Sequence, residues 1–169
     1  ELGHIVLLDP VGAGASRLRT DTANRLMQEV RFDAVRGNIS EIKTLCTGSG
    51  STKGVDADAV DAVTEANLDD GVALVKAFAR QAGCIIAVTG AIDLVSDGER
   101  CWCIRNGRAE MSRITGTGCQ LSALTTAFLV ANPDRKLDAA AAAVCMMGLA
   151  GEIGWANMQP GDGNSTYRN

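Results

Sequence analysis

The sequence predicts an α/β domain with a mostly parallel sheet and an antiparallel hairpin added late. Three observations lead there. Short apolar runs of strand length, Ile5-Val-Leu-Leu, Asp33-Ala-Val-Arg36 and Cys84-Ile-Ile-Ala-Val-Thr89, alternate with longer stretches of helical period. The last of these runs is apolar throughout, as a strand covered on both faces must be. Two further runs, Leu94-Val-Ser and Cys101-Trp-Cys-Ile-Arg105, flank Asp97-Gly98, a hairpin turn pair.

Residues 4–8 are the first strand, which ends at Asp9-Pro10, and Val11-Gly-Ala-Gly-Ala-Ser16 is a loop. Thr20 or Asp21 caps a helix that runs to about Arg31, with Ala23, Leu26, Met27 and Val30 as its apolar positions. Residues 33–36 form the second strand, stopped by Gly37. Asn38 caps the next helix, with Glu41 at the capping-box position. The stretch from Thr47 to Thr52 turns the chain, and the acidic run from Val55 to Glu65 is a surface excursion. An amphipathic helix covers about Asp69 to Gln81, with Val72, Val75, Phe78 and Ala79 on one side and Gly83 at its end. After the third strand and the hairpin come Gly116-Thr-Gly-Cys119 and two Ala-rich helices, about 119–131 and 136–158.

The chain has 169 residues, the size of one domain, with 46% hydrophobic and 21% charged residues and a net charge of −4. No basic block stands out, which argues against nucleic acid as a partner. No apolar run reaches the roughly 20 residues of a membrane span, and no signal peptide is visible, so a cytoplasmic protein is expected. Six cysteines in mostly apolar contexts read as reduced core thiols. Cys101 and Cys103 point the same way on a strand, but His4 is the single histidine and no zinc site is expected. The chain opens at Glu1, without Met, directly before a buried strand, and stops at Tyr167-Arg-Asn169. Both ends read as those of an ordered stretch within a longer protein.

Four polar features fall at the carboxyl ends of the predicted strands, where ligands of such sheets sit. Asp9, before a Gly-x-Gly, either caps a turn or reaches a metal ion. Arg36 can clamp a phosphate, while Asn38 and Glu41 share one face of the following helical turn and can hold Mg²⁺ through water, or merely form a cap. Thr89-Gly90 suits a nucleotide phosphate weakly. The turn Thr115-Gly-Thr-Gly-Cys119 carries the clearest signal. Small residues open an apolar helix and leave backbone N–H groups directed at one place, an anion hole for a transferring phosphoryl group. Cys119 stands at its mouth and could take a proton from a substrate hydroxyl.

Leu8-Asp9-Pro-Val-Gly-Ala-Gly, Arg36-Gly-Asn-Ile-Ser-Glu41, Val88-Thr-Gly, Thr115-Gly-Thr-Gly-Cys119-Gln-Leu-Ser-Ala and Pro160-Gly161, in this order, resemble the hydroxyethylthiazole kinases of the ribokinase-like superfamily. The resemblance covers essentially the whole chain. Thr-Gly-Thr-Gly-Cys is its most specific part, because sugar and pyridoxal kinases of that superfamily usually carry Asp where Cys119 stands. It implies a single three-layer α/β/α kinase domain over residues 1–169. It also implies transfer of the γ-phosphoryl group of ATP, with Mg²⁺, to the hydroxyl of 4-methyl-5-(2-hydroxyethyl)thiazole in thiamine salvage. By motif, Arg36, Thr89 and Asn38 fall to ATP, and Gly116 and Cys119 to the thiazole. Gly116, Thr117, Gly118 and Cys119 form the catalytic turn, and Asp9 and Glu41 fall to the metal. A homotrimer with sites at subunit interfaces is implied as well. The family's N-terminal region and final helix are absent from this chain, and Gln120 stands where a small apolar residue is more usual. The competing readings are a kinase for another small alcohol, which would carry Asp at 119, a silent nucleotide-binding relative, and a thiol enzyme, which would need a histidine beside Cys119.

Overall fold

The computed structural model describes residues 3–48 and 62–168, and the chain divides into two compact units, residues 1–103 and 104–169. The first unit carries strands β1 (Leu7–Leu8), β2 (Ala34–Asn38), β3 (Ile85–Thr89), β4 (Asp93–Ser96) and β5, which spans Cys101–Ile104 at the boundary. They form one sheet in the order β1-β2-β3-β4-β5. β1, β2 and β3 are parallel, and β3 and β4 are antiparallel. The late hairpin turns where Asp97 N–H meets the Arg100 carbonyl, at 3.4 Å.

Parallel neighbours need crossovers, and helices supply them. Helix α1 (Arg17–Glu29) joins β1 to β2, and α2 (Ile39–Gly48) leaves β2 directly. Helix α3 (Leu68–Ala82) precedes β3. Leu8, Val35, Ile86, Val88 and Leu94, on one face of the sheet, share a core with Ala23 of α1, Ile42 and Leu45 of α2, and Leu74, Val75 and Phe78 of α3. Gly83 stops α3 in the left-handed conformation, its N–H reaching the Ala79 carbonyl. The turn at Thr47–Thr52 and the 55–65 run lie mostly outside the described residues.

The second unit is helical. Helices α4 (Thr117–Ala131) and α5 (Lys136–Ala156) pack together, followed by the short α6 (Asn164–Arg168). The hydroxyl of Tyr167 donates to the Gly151 carbonyl at 2.9 Å, and its ring meets Trp155 edge-on.

Several expectations shift. The first strand is two residues long rather than five. Helix α1 starts at Arg17, with Ser16 at its N-cap, and Thr20 lies inside it. The Thr20 hydroxyl instead donates to the Ser16 carbonyl and accepts the Gly14 N–H, tying the loop to the helix. Gly37 does not stop β2, which continues to Asn38 because Gly37 and Asn38 still pair with Val88 and Thr89. The cysteines are all free, but Cys46 alone is buried, and Cys119 and Cys145 are exposed. By length and composition, the segment Pro133–Ala156 could cross a membrane, which an eye for long apolar side chains misses in an Ala-rich stretch. Its buried side packs on α4.

Candidate active site

The sheet register assembles the first part of the site. Leu8 pairs with Val35, so one step further Asp9 comes beside Arg36, and Asn38 pairs with Thr89. The Arg36 guanidinium donates through Nη1 to Asp9 Oδ2 and through Nη2 to Thr89 Oγ1, both at 3.1 Å. The side chains of Arg36 and Asp9 are only 12% and 17% exposed, so this is no surface arginine. Arg36 Nε is buried and meets no acceptor among the described residues. A fixed guanidinium at the end of parallel strands is suited to an anion.

Glu41 holds the next part. Its Oε2 accepts the Asn38 N–H and its Oε1 the Gly12 N–H, both at 2.9 Å, while Asn38 Oδ1 accepts the Glu41 N–H at 2.9 Å. The reciprocal cap at the start of α2 forms as its spacing predicts. The bond to Gly12 goes further and straps the glycine-rich loop to the same carboxylate. Gly37 permits this, since a Cβ there would stand 3.1 Å from Glu41 Oε2. Each Glu41 oxygen has a lone pair left beyond its N–H contact. That suits a water-shelled Mg²⁺ shared with phosphates better than a cage of direct protein ligands. Among the described residues no cluster of three metal-ligating side chains forms.

Thr89 Oγ1 also donates to the Gly37 carbonyl at 3.5 Å, so Arg36, Thr89 and the β2 end are one network. Reading the sequence missed Asp93. Its Oδ1 accepts the Gly90 N–H at 2.8 Å. Burial pushes its carboxyl up to about 6, against the opposing pull of the Gly90 N–H and the positive charge of Arg36. A carboxylate three residues after Gly90 was the available signal, since Asp side chains fold back onto nearby turn amides.

The anion-hole candidate belongs to the second unit. Helix α4 begins at Thr117, two residues before the predicted start, with Gly116 at its N-cap at φ 95°. No side chain is comfortable there except glycine. Gln120 donates the first helical bond, to the Gly116 carbonyl at 2.9 Å. The N–H groups of Thr117, Gly118 and Cys119 therefore have no helical carbonyl to reach, and they lie at the positive end of the helix. Cys119 and Gln120 are both exposed in this first turn, so Gln120 does not disturb core packing. His4 is an exposed residue of the first unit, outside β1.

A model of the hydroxyethylthiazole kinase family matches residues 1–167. The chain belongs to the hydroxyethylthiazole kinase family. It is 51% identical to a hydroxyethylthiazole kinase of Clostridium acetobutylicum over all 169 residues, which are 62% of that protein. A solved hydroxyethylthiazole kinase structure from Pyrococcus horikoshii superposes with a TM-score of 0.80 at 31% identity, over 98% of this chain and 57% of that one. An ADP complex of Bacillus subtilis pyridoxal kinase matches at TM-score 0.57 and 21% identity, over 82% of this chain and 50% of its own, and shows the shared ribokinase-like fold. The chain spans less than two thirds of the length of these relatives.

Proposed function

We propose that this protein phosphorylates the hydroxyl of 4-methyl-5-(2-hydroxyethyl)thiazole at the expense of ATP. The family match over residues 1–167, which takes in every motif described above, carries this reading. Arg36 and Thr89, joined by a 3.1 Å hydrogen bond, are suited to the nucleotide phosphates, with Asn38 at the adjoining helix start. Asp9 and Glu41 are the candidates to hold a hydrated Mg²⁺. When bound, that ion would offset charge on the transferring phosphoryl group.

The turn Gly116-Thr117-Gly118-Cys119 has the donor arrangement of an anion hole. A phosphoryl group gathering negative charge is stabilised there by fixed N–H dipoles, which need no reorganisation during transfer. The substrate hydroxyl belongs beside Gly116 and Cys119, where the cysteine in its thiolate form can take the hydroxyl proton as the new P–O bond forms and the bond from the γ-phosphorus to the departing ADP oxygen breaks. A thiolate is a modest base, so positioning supplies most of the acceleration. We assign the working form to the cytoplasm as a homotrimer with sites at its subunit interfaces. Its partners are ATP and the thiazole, and it has no nucleic-acid or membrane partner.

ATP consumption by the full-length protein with Mg²⁺, with and without the thiazole, tests the reading. Thiazole-dependent consumption with a phosphorylated product is expected. ATP binding without stimulation would overturn the substrate and point to another small alcohol. Sedimentation at three times the protomer mass is expected; a monomeric active enzyme would overturn the trimer.

A further inference from the structure

We propose that Asp93 is a positioning residue for the nucleotide end of this site: it fixes the Thr89–Gly90 turn, and with it the hydroxyl on which Arg36 is seated. The inference rests on the reading of Arg36 and Thr89 as nucleotide contacts, and it adds a residue that touches neither substrate. Three observations carry it.

The first is the register. Val88 pairs with Leu94, so one step on Asp93 lies opposite Thr89, at the point where β3 ends and β4 begins. Only Gly90, Ala91 and Ile92 close this connection, and a three-residue turn leaves its first amide to find an acceptor. Asp93 Oδ1 is that acceptor, at 2.8 Å.

The second is continuity. Gly90 directly follows Thr89, whose Oγ1 takes the Arg36 Nη2 donation at 3.1 Å. Through Arg36 the chain of bonds reaches Asp9 Oδ2. Swinging the turn away would move the Thr89 hydroxyl and release one arm of the guanidinium.

The third is Gly90 itself. Its φ is not in the left-handed region, and a Cβ there would meet nothing nearer than the Ile92 carbonyl, at 3.9 Å. The fold does not require glycine at this position. A bare backbone beside Thr89 instead leaves room for a ligand to approach closely, provided something holds that backbone still. Asp93 does so from the side of β4.

The test is made on the full-length enzyme with Asp93→Ala, Asp93→Ser and Asp93→Asn. The affinity of a non-hydrolysable ATP analogue is measured by calorimetry, and KM for ATP and for the thiazole and kcat by turnover. Ala removes the acceptor, and Ser places one too short to reach Gly90. Both are expected to weaken analogue binding and raise KM for ATP about tenfold, with KM for the thiazole within twofold. Asn keeps an oxygen at Oδ1 and is expected to stay within threefold of the unsubstituted enzyme. Unchanged analogue affinity in Ala and Ser would overturn the proposal. So would an Asn variant as weak as Ala, or equal losses for both substrates. If both variants lose cooperative melting, the bond serves the hairpin and not the site, and the proposal falls. The calorimetry needs no turnover, so a wrong thiazole assignment leaves this readout intact, whereas an enzyme that binds no analogue in unsubstituted form overturns both readings.

Discussion

Cys119 is exposed in the first turn of α4, beside amides with no helical partner, and its proposed work is confined to the reacting hydroxyl. Cys119→Ala is therefore expected to lower kcat about a hundredfold or more, the usual scale for losing a general base. Nucleotide affinity should stay within about twofold; turnover equal to that of the unsubstituted enzyme would remove the thiol from the chemistry. Asp93 makes a separate, thermodynamic prediction. Burial raises its folded pKa to about 6, above its ordinary value, so the folded protein holds this proton more tightly than the unfolded chain. Ionisation then weakens the fold. The penalty is absent below about pH 4, grows as pH rises through 6, and is complete above it, at no more than about 3 kcal/mol. Asp93→Asn is spared it, so its stability relative to the unsubstituted protein should improve between pH 4 and pH 7. Parallel denaturant midpoints across that range would contradict the assignment.

At the scale of elements, the start of α2 does two jobs with one carboxylate. Glu41 caps its own helix at Asn38 and straps the loop at Gly12, joining segments 29 residues apart. Glu41→Ala leaves both N–H groups without this acceptor, and a loss of about 2–3 kcal/mol in urea unfolding is expected. Asn38→Ala gives up the cap alone and should lose about 1 kcal/mol. If the two variants were equally stable, the strap to the loop would have no energetic role. The start of α4 depends on conformation instead. Gly116 stands at φ 95°, with nothing within 4 Å of where a Cβ would be, so Gly116→Ala tests backbone strain without a clash. A loss of about 1–2 kcal/mol is expected, with a fall in kcat as the turn relaxes.

For the molecule as a whole, the Asp9–Arg36 pair links β1 to the rest of the sheet. β1 has two residues and, among the described residues, pairs with β2 alone, so its backbone bonds are few. The ion pair is nearly buried on both sides, and removing one partner leaves the other charge uncompensated. Asp9→Ala should destabilise the folded protein by about 3 kcal/mol and weaken nucleotide binding together, since Arg36 loses one of its two anchors. A variant with full stability but lost binding would show that Asp9 serves the ligand alone. In the second unit the Tyr167 hydroxyl bond to Gly151 closes α6 onto α5, and both partners lie within 104–169.

What the sequence determined by itself is local. Helical periods placed α3 to α5 within a few residues, Asn38 and Glu41 announced the cap that opens α2, and the glycines around Thr117 announced the start of α4. Each signal lies within a few positions of its structural consequence. The motif order was enough to point to the family. Contacts between distant residues were decided only in the folded chain. Arg36 finds Asp9 27 positions away and Thr89 53 positions away, through strand registers that no single segment encodes. The second role of Glu41 has the same origin: it depends on which loop is laid beside which strand end, and that choice belongs to the shared core of the sheet and its helices. The Asp93 bond to Gly90 spans only three residues and was within reach of the sequence.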